Sequence, residues 1–348
     1  MQIKGFQKYL LGSDKNLLDA IKKLQINKYK TLIVVDKNKK LLGTVTDGDI
    51  RRALLRGYNK ESKIKNILNK RPKKIVYKKK IPYLKNNETE LLPIINKNKI
   101  IQSIFVNNDY KTSTIIEEKT DVLIMAGGFG KRLMPLTKKK PKPLLKINNK
   151  TLIEYAVENL IKYNFKDIFI SIYYKSKQIK DHFNKKKYNL NINYIAEKKP
   201  LGTAGSLSLL NYKRLKEHLI VHNGDIITNL NIRNLIKFHI DFNSDITVCA
   251  KEYTNTSPFG EIRYKGHKIQ KIIEKPTTKN FFNAGIYIIK KKLIKNMSIQ
   301  NLSMTSFIEK KITEGFVVNV YPIYEYWIDV GRKDILKQIY NQNFRKNV

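Results

Sequence analysis

Apolar and polar residues alternate along the first third of the chain in a pattern that predicts paired short strands and helices. "TLIVVD" (31–36) and "LLGTVT" (41–46) flank "KNKK", which is typical of a hairpin turn. Before them, Leu17, Leu18, Ile21 and Leu24 recur at helical spacing, with Ser13 or Asp14 as the candidate cap. "DGDIRRALLRG" (47–57) predicts a second helix that begins with acidic residues and ends at a glycine.

The hairpin occurs twice. "ELLPIINKNKIIQSIFV" (90–106) aligns with "KTLIVVDKNKKLLGTVT" (30–46), so this region is a two-unit module. It resembles a tandem CBS module of α+β type, a paired regulatory unit that binds nucleotides. The resemblance implies that Thr46 and Asp49 hold the ribose and phosphate of a purine nucleotide, adenine nucleotides included. In the second unit we expect Phe105 and Asn108 at these positions, and Pro82 interrupts its helical stretch, so at most one unit binds. A packing or dimerisation module without a ligand is the alternative.

A different pattern follows the polar stretch at 107–120, and we place the domain boundary between 1–118 and 119–348. Apolar runs alternate with amphipathic helical segments, and this order predicts a mostly parallel sheet with crossover helices, an α/β domain. The strands are expected at 122–126, 167–172, 219–222 and 245–250, and helices at 151–163 and 230–240.

The composition of the chain limits the classes of function that it can have. The 348 residues carry 69 Lys and Arg against 29 Asp and Glu, a formal charge of +40. Nucleic-acid binding would fit this charge, but the lysines are spread over nearly every segment, which favours a general preference for polyanionic ligands such as nucleotides. Cys249 is the only cysteine, which excludes an intrachain disulfide and a cysteine zinc cluster. No apolar run is long enough for a signal peptide or membrane span, so we expect a cytoplasmic protein with no membrane contact.

One segment carries recognisable chemistry: "VLIMAGGFGKRLMPLTKKKPKP" (122–143) is a strand that ends in a glycine-rich turn. Gly127, Gly128 and Gly130 leave room for backbone N–H groups to contact phosphate oxygens. The spacing matches neither a P-loop nor a dinucleotide fingerprint. Arg132 follows the turn and Lys142 lies between two prolines, so two cations are available to neutralise a polyphosphate.

The pattern A-G-G-x-G-x-R-L-x-P-L-T followed by P-K-P resembles the signature of the sugar-1-phosphate nucleotidyltransferases, and the resemblance extends to about residue 338. It implies a Rossmann-like, GT-A-like domain that joins an NTP and a sugar 1-phosphate with Mg²⁺ and releases pyrophosphate. Lys131 is a departure, because many members have Thr there. The family segments are "EKKPLGTAGSL" (197–207), "VHNGDII" (221–227), "SPFGEIRY" (257–264), "IIEKP" (272–276), "NAGIYII" (283–289) and "WIDVG" (327–331).

These segments imply a set of site residues. The catalytic residues are Arg132, Lys142 and Asp225, and the metal ligands are Asp225 and Asp329, a number of carboxylates typical of phosphate-bound magnesium. The sugar-phosphate residues are Glu274, Lys275 and Asn283. Gly202 and Gly205 are expected to allow close approach of the base and sugar. The nucleotide-binding residues are Ala126, Gly127, Gly128, Gly130, Lys131, Glu197, Gly202 and Thr203.

Other residues support fewer inferences. The five histidines show no metal-ligand spacing, and we expect packing or surface positions for them. After Gly331 only one helix remains, with no hexapeptide repeats, so one activity is expected. CBS modules commonly pair across subunits, which favours a homo-oligomer.

Substrate choice rests on resemblance. "EKKPLGTAGSL" looks more like the branch of the mannose-1-phosphate guanylyltransferases than the thymidylyltransferases. The fusion to a CBS module resembles the glucosamine-1-phosphate guanylyltransferases of bacterial legionaminic acid pathways. This favours GTP and an amino-sugar 1-phosphate. A mannose-1-phosphate guanylyltransferase, a uridylyl- or thymidylyltransferase, and a catalytically idle nucleotide sensor are the alternatives.

Overall fold

Residues 5–27, 29–77, 91–106, 118–186 and 188–341 are described by a computed structural model of the chain. The chain divides into two units, Met1–Ile115 and Ile116–Val348. The domain boundary after residue 118 stays a prediction. Within the described residues, no helix combines the length and the apolar character needed to cross a bilayer.

In its described residues, the N-terminal unit contains two three-stranded sheets with the same strand arrangement. In each, a short first strand runs parallel to the second, and the second pairs antiparallel with the third. Two helices accompany the first sheet. The elements are β1 (Leu10–Gly12), α1 (Leu17–Ile26), β2 (Thr31–Val35), β3 (Leu41–Thr46), α2 (Asp47–Leu55), β4 (Ile75–Val76), β5 (Leu91–Ile95) and β6 (Ile101–Val106).

Strand pairing confirms the repeated hairpin and the alignment of 90–106 with 30–46, but it corrects two residue equivalents in the second unit. Val35 pairs with Leu41 in the first hairpin and Ile95 pairs with Ile101 in the second, so equivalent positions lie 60 residues apart. The residue equivalent to Thr46 is therefore Val106 rather than Phe105. The equivalent of Asp49 is residue 109 rather than Asn108. Residues 108 and 109, like Pro82, lie outside the described residues.

Both α-helices in the described residues of this unit begin with a capping box, in which two residues three positions apart each accept, through a side-chain oxygen, a hydrogen bond from the backbone N–H of the other. For α1 the cap is Asn16 with Asp19, so the expected cap at Ser13 or Asp14 is wrong. For α2 the cap is Thr46 with Asp49. The Thr46 hydroxyl donates to Asp49 Oδ2 at 2.7 Å, and the Asp49 N–H donates to Thr46 Oγ1 at 3.2 Å.

The C-terminal unit alternates strands and helices along its length. Its helices are α3 (Leu136–Lys139), α4 (Leu152–Lys162), α5 (Ser176–Lys185), α6 (Gly202–Gly205), α7 (Ile232–Asp241), α8 (Met304–Thr313) and α9 (Lys333–Asn341). Its strands are β7 (Thr120–Met125), β8 (Lys146–Ile147), β9 (Lys150–Thr151), β10 (Asp167–Ile172), β11 (Asn191–Ala196), β12 (His218–Asn223), β13 (Ile226–Thr228), β14 (Ile246–Thr256), β15 (Glu261–Lys265), β16 (Lys268–Ile273), β17 (Thr277–Lys290), β18 (Val318–Ile323) and β19 (Trp327–Asp329).

Seven of these strands form the central sheet, in the order β11-β10-β7-β12-β17-β14-β18. Only β17 runs antiparallel to its neighbours, which confirms the expected mostly parallel α/β fold. Alternate side chains of each strand enter different cores because strand side chains point to opposite faces. In β7, Val122 and Ile124 pack on one face with α4 and α7, whereas Leu123 packs on the other with α8.

Candidate active site

The glycine-rich turn leaves the sheet at the carboxyl end of β7, where parallel α/β sheets place ligands. Within the described part of the chain, the backbone N–H groups of residues 127–130 donate to no acceptor, although Ala126 just before them bonds Ser171. Adding a Cβ at Gly128 would meet no atom within 4 Å, so this residue opens onto free space. The turn therefore presents successive free donors in the manner of an anion-binding nest.

Gly130 serves a different purpose from Gly128. It has a left-handed φ of 64°, and a Cβ there would lie 2.8 Å from Thr137 Cγ2 and 3.0 Å from Lys142 Cβ. The Thr137 hydroxyl donates to Gly130 O at 2.9 Å. The absence of a side chain at this position thus allows Lys142, held in a turn between Pro141 and Pro143, to pack directly against the glycine turn.

Two carboxylates lie beside this turn because of a small sheet of their own. Strand β13 pairs antiparallel with β19, so Ile226 lies opposite Asp329, and the Val330 N–H donates to Asp225 O at 3.1 Å. The Lys142 ammonium forms an ion pair with Asp225 and lies 3.8 Å from Asp329 Oδ1. Three residues expected at the chemical step thus meet from distant parts of the chain.

Electrostatics distinguish Asp329 in this group. Burial, and then the Asp225 carboxylate, raise the pKa of Asp329, while Lys142 and Arg132 oppose the shift. Its Oδ1 is buried and accepts no hydrogen bond from any described residue. Such an orphaned acceptor next to a second carboxylate is a position that a cation can satisfy.

The walls of one cavity of about 350 Å³ bring most of the predicted nucleotide residues together. The glycine turn, Arg132, Lys142 and Asp225 all line it. The predicted residues on its walls are Ala126, Gly127, Gly128, Gly130, Lys131, Arg132, Lys142, Glu197, Gly202, Thr203 and Asp225.

The segment from 197 to 203 is held at the cavity by hydrogen bonds with the rest of the C-terminal unit. Glu197 accepts hydrogen bonds from Ser171 Oγ and, at 3.0 Å, from the Leu201 N–H. Thr203 Oγ1 accepts from the Met304 N–H at 2.7 Å, at the start of α8. These side chains fix the loop.

Gly202 and Gly205 were expected to allow close approach of the base and sugar, and this expectation stays a prediction; the structure shows that both glycines lie against the protein backbone. A Cβ at Gly202 would lie 2.6 Å from Leu302 O, and one at Gly205 would lie 2.3 Å from Gln300 O. The close neighbour is therefore the protein backbone before α8. Gly202 also lines the cavity, whereas Gly205 does not.

Glu274, Lys275 and Asn283 are exposed and do not line this cavity. The hairpin of β15 and β16 brings Glu274 next to Gly260, with Glu274 Oε2 3.3 Å from the position of a Gly260 Cβ. Asn283 Oδ1 accepts from the Gly285 N–H at 2.9 Å, in the bulge where β17 pairs irregularly with β14. Their assignment to sugar-phosphate binding stays a prediction.

The histidines were expected to have packing or surface positions, and four of them lie partly or fully inside the C-terminal unit. Burial lowers the pKa of His222 to about 4, despite a hydrogen bond at Asn223 O and the Asp225 charge. Burial also lowers the pKa of His239 to about 3. No group of three or more His, Cys, Asp or Glu side chains in the described ranges is arranged to hold a metal ion.

Sequence reasoning missed residues that the site needs for packing. Asn223 lines the cavity. Its side-chain amide packs against Gly285, where a Cβ would collide with it. A Cβ at Gly331 would lie 3.0 Å from Asp329 Oδ1 and 3.3 Å from an Arg132 Nη atom, so this glycine lets the arginine approach the carboxylate. The "NGD" and "DVG" segments contain both residues, but their spacing does not reveal what they touch.

Comparison with known proteins fits this geometry. Residues 121–344 match the family model of the nucleotidyl transferases, and residues 9–56 match the CBS domain. The chain therefore belongs to the nucleotidyl transferase family and carries a CBS domain in its N-terminal unit.

Individual relatives are guanylyltransferases by name. The mannose-1-phosphate guanyltransferase of Yarrowia lipolytica is 33% identical over 223 residues, which are 62% of this chain and 61% of that protein. The chain thus spans about three fifths of the length of such relatives. The D-glycero-alpha-D-manno-heptose 1-phosphate guanylyltransferase of Aneurinibacillus thermoaerophilus is 28% identical, over 62% of this chain and 94% of that protein.

Solved structures give the same match. The crystal structure of HddC from Yersinia pseudotuberculosis superposes with a TM-score of 0.52 at 28% identity, over 64% of this chain and 98% of that one. A second crystal structure of HddC is complexed with GMP-PN and has a TM-score of 0.51 at 26% identity.

Proposed function

We propose that this protein transfers a guanylyl group from GTP to a sugar 1-phosphate, with release of pyrophosphate. The observation that carries the proposal is the arrangement around Lys142: free backbone donors and cations line one cavity, and the carboxylates of Asp225 and Asp329 converge on the Lys142 ammonium. A polyphosphate is the ligand that suits the free N–H donors and the cations, and a divalent cation is the ligand that suits the two carboxylates.

In the proposed reaction, an oxygen of the sugar 1-phosphate attacks the α-phosphorus of the triphosphate in line. The bond from that phosphorus to the bridging oxygen breaks, and pyrophosphate leaves with the electron pair. The N–H groups of residues 127–130 and the Arg132 guanidinium stabilise the charge on the departing pyrophosphate. Lys142 holds the phosphates in register, and Lys275 orients the sugar phosphate. Positioning and charge neutralisation suffice, because the attacking phosphate is already ionised at neutral pH.

The acidic pair fits magnesium by its chemistry. Magnesium bound to phosphates usually takes one or two protein carboxylates, and Asp225 and Asp329 offer two, one of them with a buried acceptor that lacks a hydrogen bond. Asp225 and Asp329 would hold Mg²⁺ there, and the bound ion would supply positive charge to neutralise the reacting phosphates. Lys142 now balances the two carboxylates, and we expect its ammonium to turn toward the phosphates once a ligand is bound.

The names of the relatives favour GTP as the donor, since they are guanylyltransferases. For the acceptor we favour an amino-sugar 1-phosphate such as glucosamine 1-phosphate, because the CBS fusion resembles enzymes of legionaminic acid synthesis. Glu274 is the candidate partner for the sugar's polar groups. Mannose 1-phosphate is the alternative acceptor, and UTP or dTTP the alternative donor. We further propose that the protein works in the cytoplasm, as a homo-oligomer, in the synthesis of bacterial surface glycans or nonulosonic acids.

A substrate panel tests the proposal. Pyrophosphate release is measured with GTP, ATP, CTP, UTP and dTTP against glucosamine 1-phosphate and mannose 1-phosphate. We expect the highest rate with GTP and glucosamine 1-phosphate. A different preferred pair would correct the specificity, and no release with any pair would support the alternative of an idle nucleotide sensor.

Matched variants tie the activity to the site. Arg132→Ala is expected to lower pyrophosphate release on the order of 100-fold or more, because it removes a donor to the leaving group. Lys138→Ala removes an equal charge from α3, outside the cavity walls, and should leave the rate close to that of the wild type. Equal rates for the two variants would contradict the proposed role of Arg132.

A further inference from the structure

The hairpin of β15 and β16 forms a sheet of its own. Among the described residues its two strands pair only with each other. Every residue of β15 and β16 is exposed except Ile273, which is half-buried. A two-stranded hairpin is marginally stable in water unless its apolar face packs against a further layer. The exposed hairpin therefore raises the question of what covers it.

One face of this hairpin is apolar. Ile262 pairs with Ile272, and Tyr264 pairs with Ile269. Residues opposite each other in a ladder point to the same face, and Ile262 and Tyr264 share that face because they lie two positions apart. All four side chains are between 52% and 71% exposed, and none belongs to the apolar cores of the central sheet. We call Ile262, Tyr264, Ile269 and Ile272 the hairpin patch.

A bulge completes the patch. Arg263 pairs with Lys271 but Tyr264 pairs with Ile269, so Gln270 is an extra residue in β16. Without this bulge, Gln270 would lie opposite Tyr264 and Ile269 would point to the other face. The bulge thus adds an isoleucine to an exposed apolar surface, where burial within the chain gives no reason for it.

The opposite face of the hairpin is cationic. Arg263 pairs with Lys271, and Lys265 pairs with Lys268 at the turn. Glu261, which accepts a hydrogen bond from Arg263 Nε at 3.1 Å, is the only acidic residue of 261–273. The hairpin therefore combines an apolar face with an excess of positive charge, in a chain whose formal charge is +40.

Charge and size distinguish the partners that could cover the patch. A second copy of the chain would bring two cationic hairpins together. Patch against patch, it would bury four side chains on each copy, whereas stable protein interfaces use about 20–30 residues a side. An anionic bilayer surface instead attracts the cations. Amphipathic elements with cations on the polar face and large apolar side chains on the other face lie in the plane of such a surface.

We infer that the hairpin of β15 and β16 binds the surface of an anionic lipid bilayer, with the hairpin patch among the headgroups and the cations near the lipid phosphates. At this depth, water and headgroups can bond the polar backbone groups at the outer edges of the two strands, which the hydrocarbon core could not do. The expectation of no membrane contact rested on apolar runs long enough to span a bilayer, and an amphipathic hairpin lies in the interface without crossing it.

Sedimentation with vesicles tests the inference in the intact protein. The vesicles contain phosphatidylcholine with or without phosphatidylglycerol. The wild type is expected to sediment only with the vesicles that contain phosphatidylglycerol, and to be released as salt screens the charges. Ile262→Ser and Ile269→Ser should each weaken this binding about tenfold, because each withdraws one large apolar side chain from the interface.

Matched controls separate the hairpin from the rest of the surface. Ile312 is 54% exposed on α8, so Ile312→Ser removes an equally exposed isoleucine and should bind like the wild type. Lys268→Ala should weaken binding to anionic vesicles about fivefold, the effect of one cation near the surface. Lys310→Ala on α8 removes an equal charge elsewhere and should leave binding close to that of the wild type. Thermal unfolding followed by circular dichroism shows whether each variant is folded.

Three outcomes would overturn the inference. The first is a wild type that sediments with neither kind of vesicle, or equally with both. The second is equal binding by Ile262→Ser, Ile269→Ser and Ile312→Ser, which would show adsorption by overall charge. The third is a dimer, measured by sedimentation velocity without lipid, that Ile262→Ser and Ile269→Ser lose and Ile312→Ser keeps, since the patch would then cover a second copy. None of these outcomes depends on pyrophosphate release, so the proposed function is tested separately.

Discussion

The glycines of the turn look alike in the sequence, yet their surroundings differ. Gly128 faces open space in the cavity, so a methyl group there would meet only a ligand. Gly130 combines a left-handed φ with contacts to Thr137 and Lys142, so a methyl group there would strain the backbone and collide with the protein. One glycine is kept for binding and the other for folding.

This difference predicts that the same substitution, Gly to Ala, changes the stability of the fold at only one of the two positions. Gly128→Ala should leave the thermal unfolding temperature close to that of the wild type and weaken GTP binding at least tenfold, because a Cβ narrows the phosphate site. Gly130→Ala should lower the unfolding temperature as well, since the left-handed conformation and the clash cost about 1–3 kcal/mol. Differential scanning calorimetry and GTP titration measure both. Equal unfolding losses in the two variants would contradict the assignment.

The signature predicted which residues surround the cavity but not the task of each. Arg132, Lys142 and Asp225 could be chosen from the sequence because cations after a glycine turn and an acid after a strand have direct chemical uses. The contacts of Gly202 and Gly205 with the backbone before α8 could not, because that contact joins residues about 100 positions apart. The cap of α1 at Asn16 was missed because Ser13, Asp14 and Asn16 all favour helix starts.

Strand pairing supplies what spacing alone leaves undetermined. The β13 and β19 pair joins Ile226 to Asp329 across the intervening helices and strands, and only this pairing brings the two acids to Lys142. The repeated hairpin shows the opposite case: the alignment of 90–106 with 30–46 already has the register that the pairing of Ile95 with Ile101 confirms, and only the residues taken as equivalent to Thr46 and Asp49 were one position off. A shift of one residue exchanges the two faces of a strand.

The start of α4 is held by a carboxylate that should make the fold sensitive to acid. Glu154 is 1% exposed, and burial by itself raises the pKa of its carboxyl. Hydrogen bonds donated by Lys186, Thr151 and Tyr188 outweigh this effect and lower the pKa to about 2 from an ordinary 4.5. A depressed carboxyl pKa stabilises the fold above pH 4.5, and this contribution is lost as pH falls toward 2.

Glu154→Gln should therefore lower the free energy of unfolding by about 2 kcal/mol at pH 7. The difference from the wild type should shrink as pH falls from 4.5 toward 2. Urea unfolding followed by circular dichroism at several pH values measures this. Glu158→Gln on the same helix removes an exposed carboxylate paired with Lys150 and should have little effect at any pH. A pH-independent deficit in Glu154→Gln would contradict the proposed charge effect.

At the scale of the whole molecule, the N-terminal unit raises the question of regulation. Thr46 and Asp49, the residues expected to bind a purine nucleotide, bond each other in the cap of α2. This cap is a sufficient structural reason for both residues. Nucleotide binding at this unit stays a prediction, and the high positive charge of the chain favours anionic ligands in general.

Two caps of the same kind allow a matched test of that prediction. Thr46→Ala and Asn16→Ala each remove one capping box and should each cost about 1 kcal/mol of stability. If the unit binds a purine nucleotide at Thr46, AMP or ATP should change the rate of pyrophosphate release in the wild type and in Asn16→Ala, but not in Thr46→Ala. An absence of response in all three proteins would favour a packing or dimerisation role.

The central claim concerns two acids and a triphosphate, and pyrophosphate release by Asp225→Asn and Asp329→Asn tests it most directly. Each change keeps the size of the side chain and removes its charge, and Asp334→Asn on α9 removes an exposed carboxylate paired with Arg332 as the control. With GTP and the preferred sugar 1-phosphate, both site variants are predicted to lose on the order of 100-fold or more in rate, while the control keeps the wild-type rate. Wild-type rates in Asp225→Asn and Asp329→Asn would contradict the account.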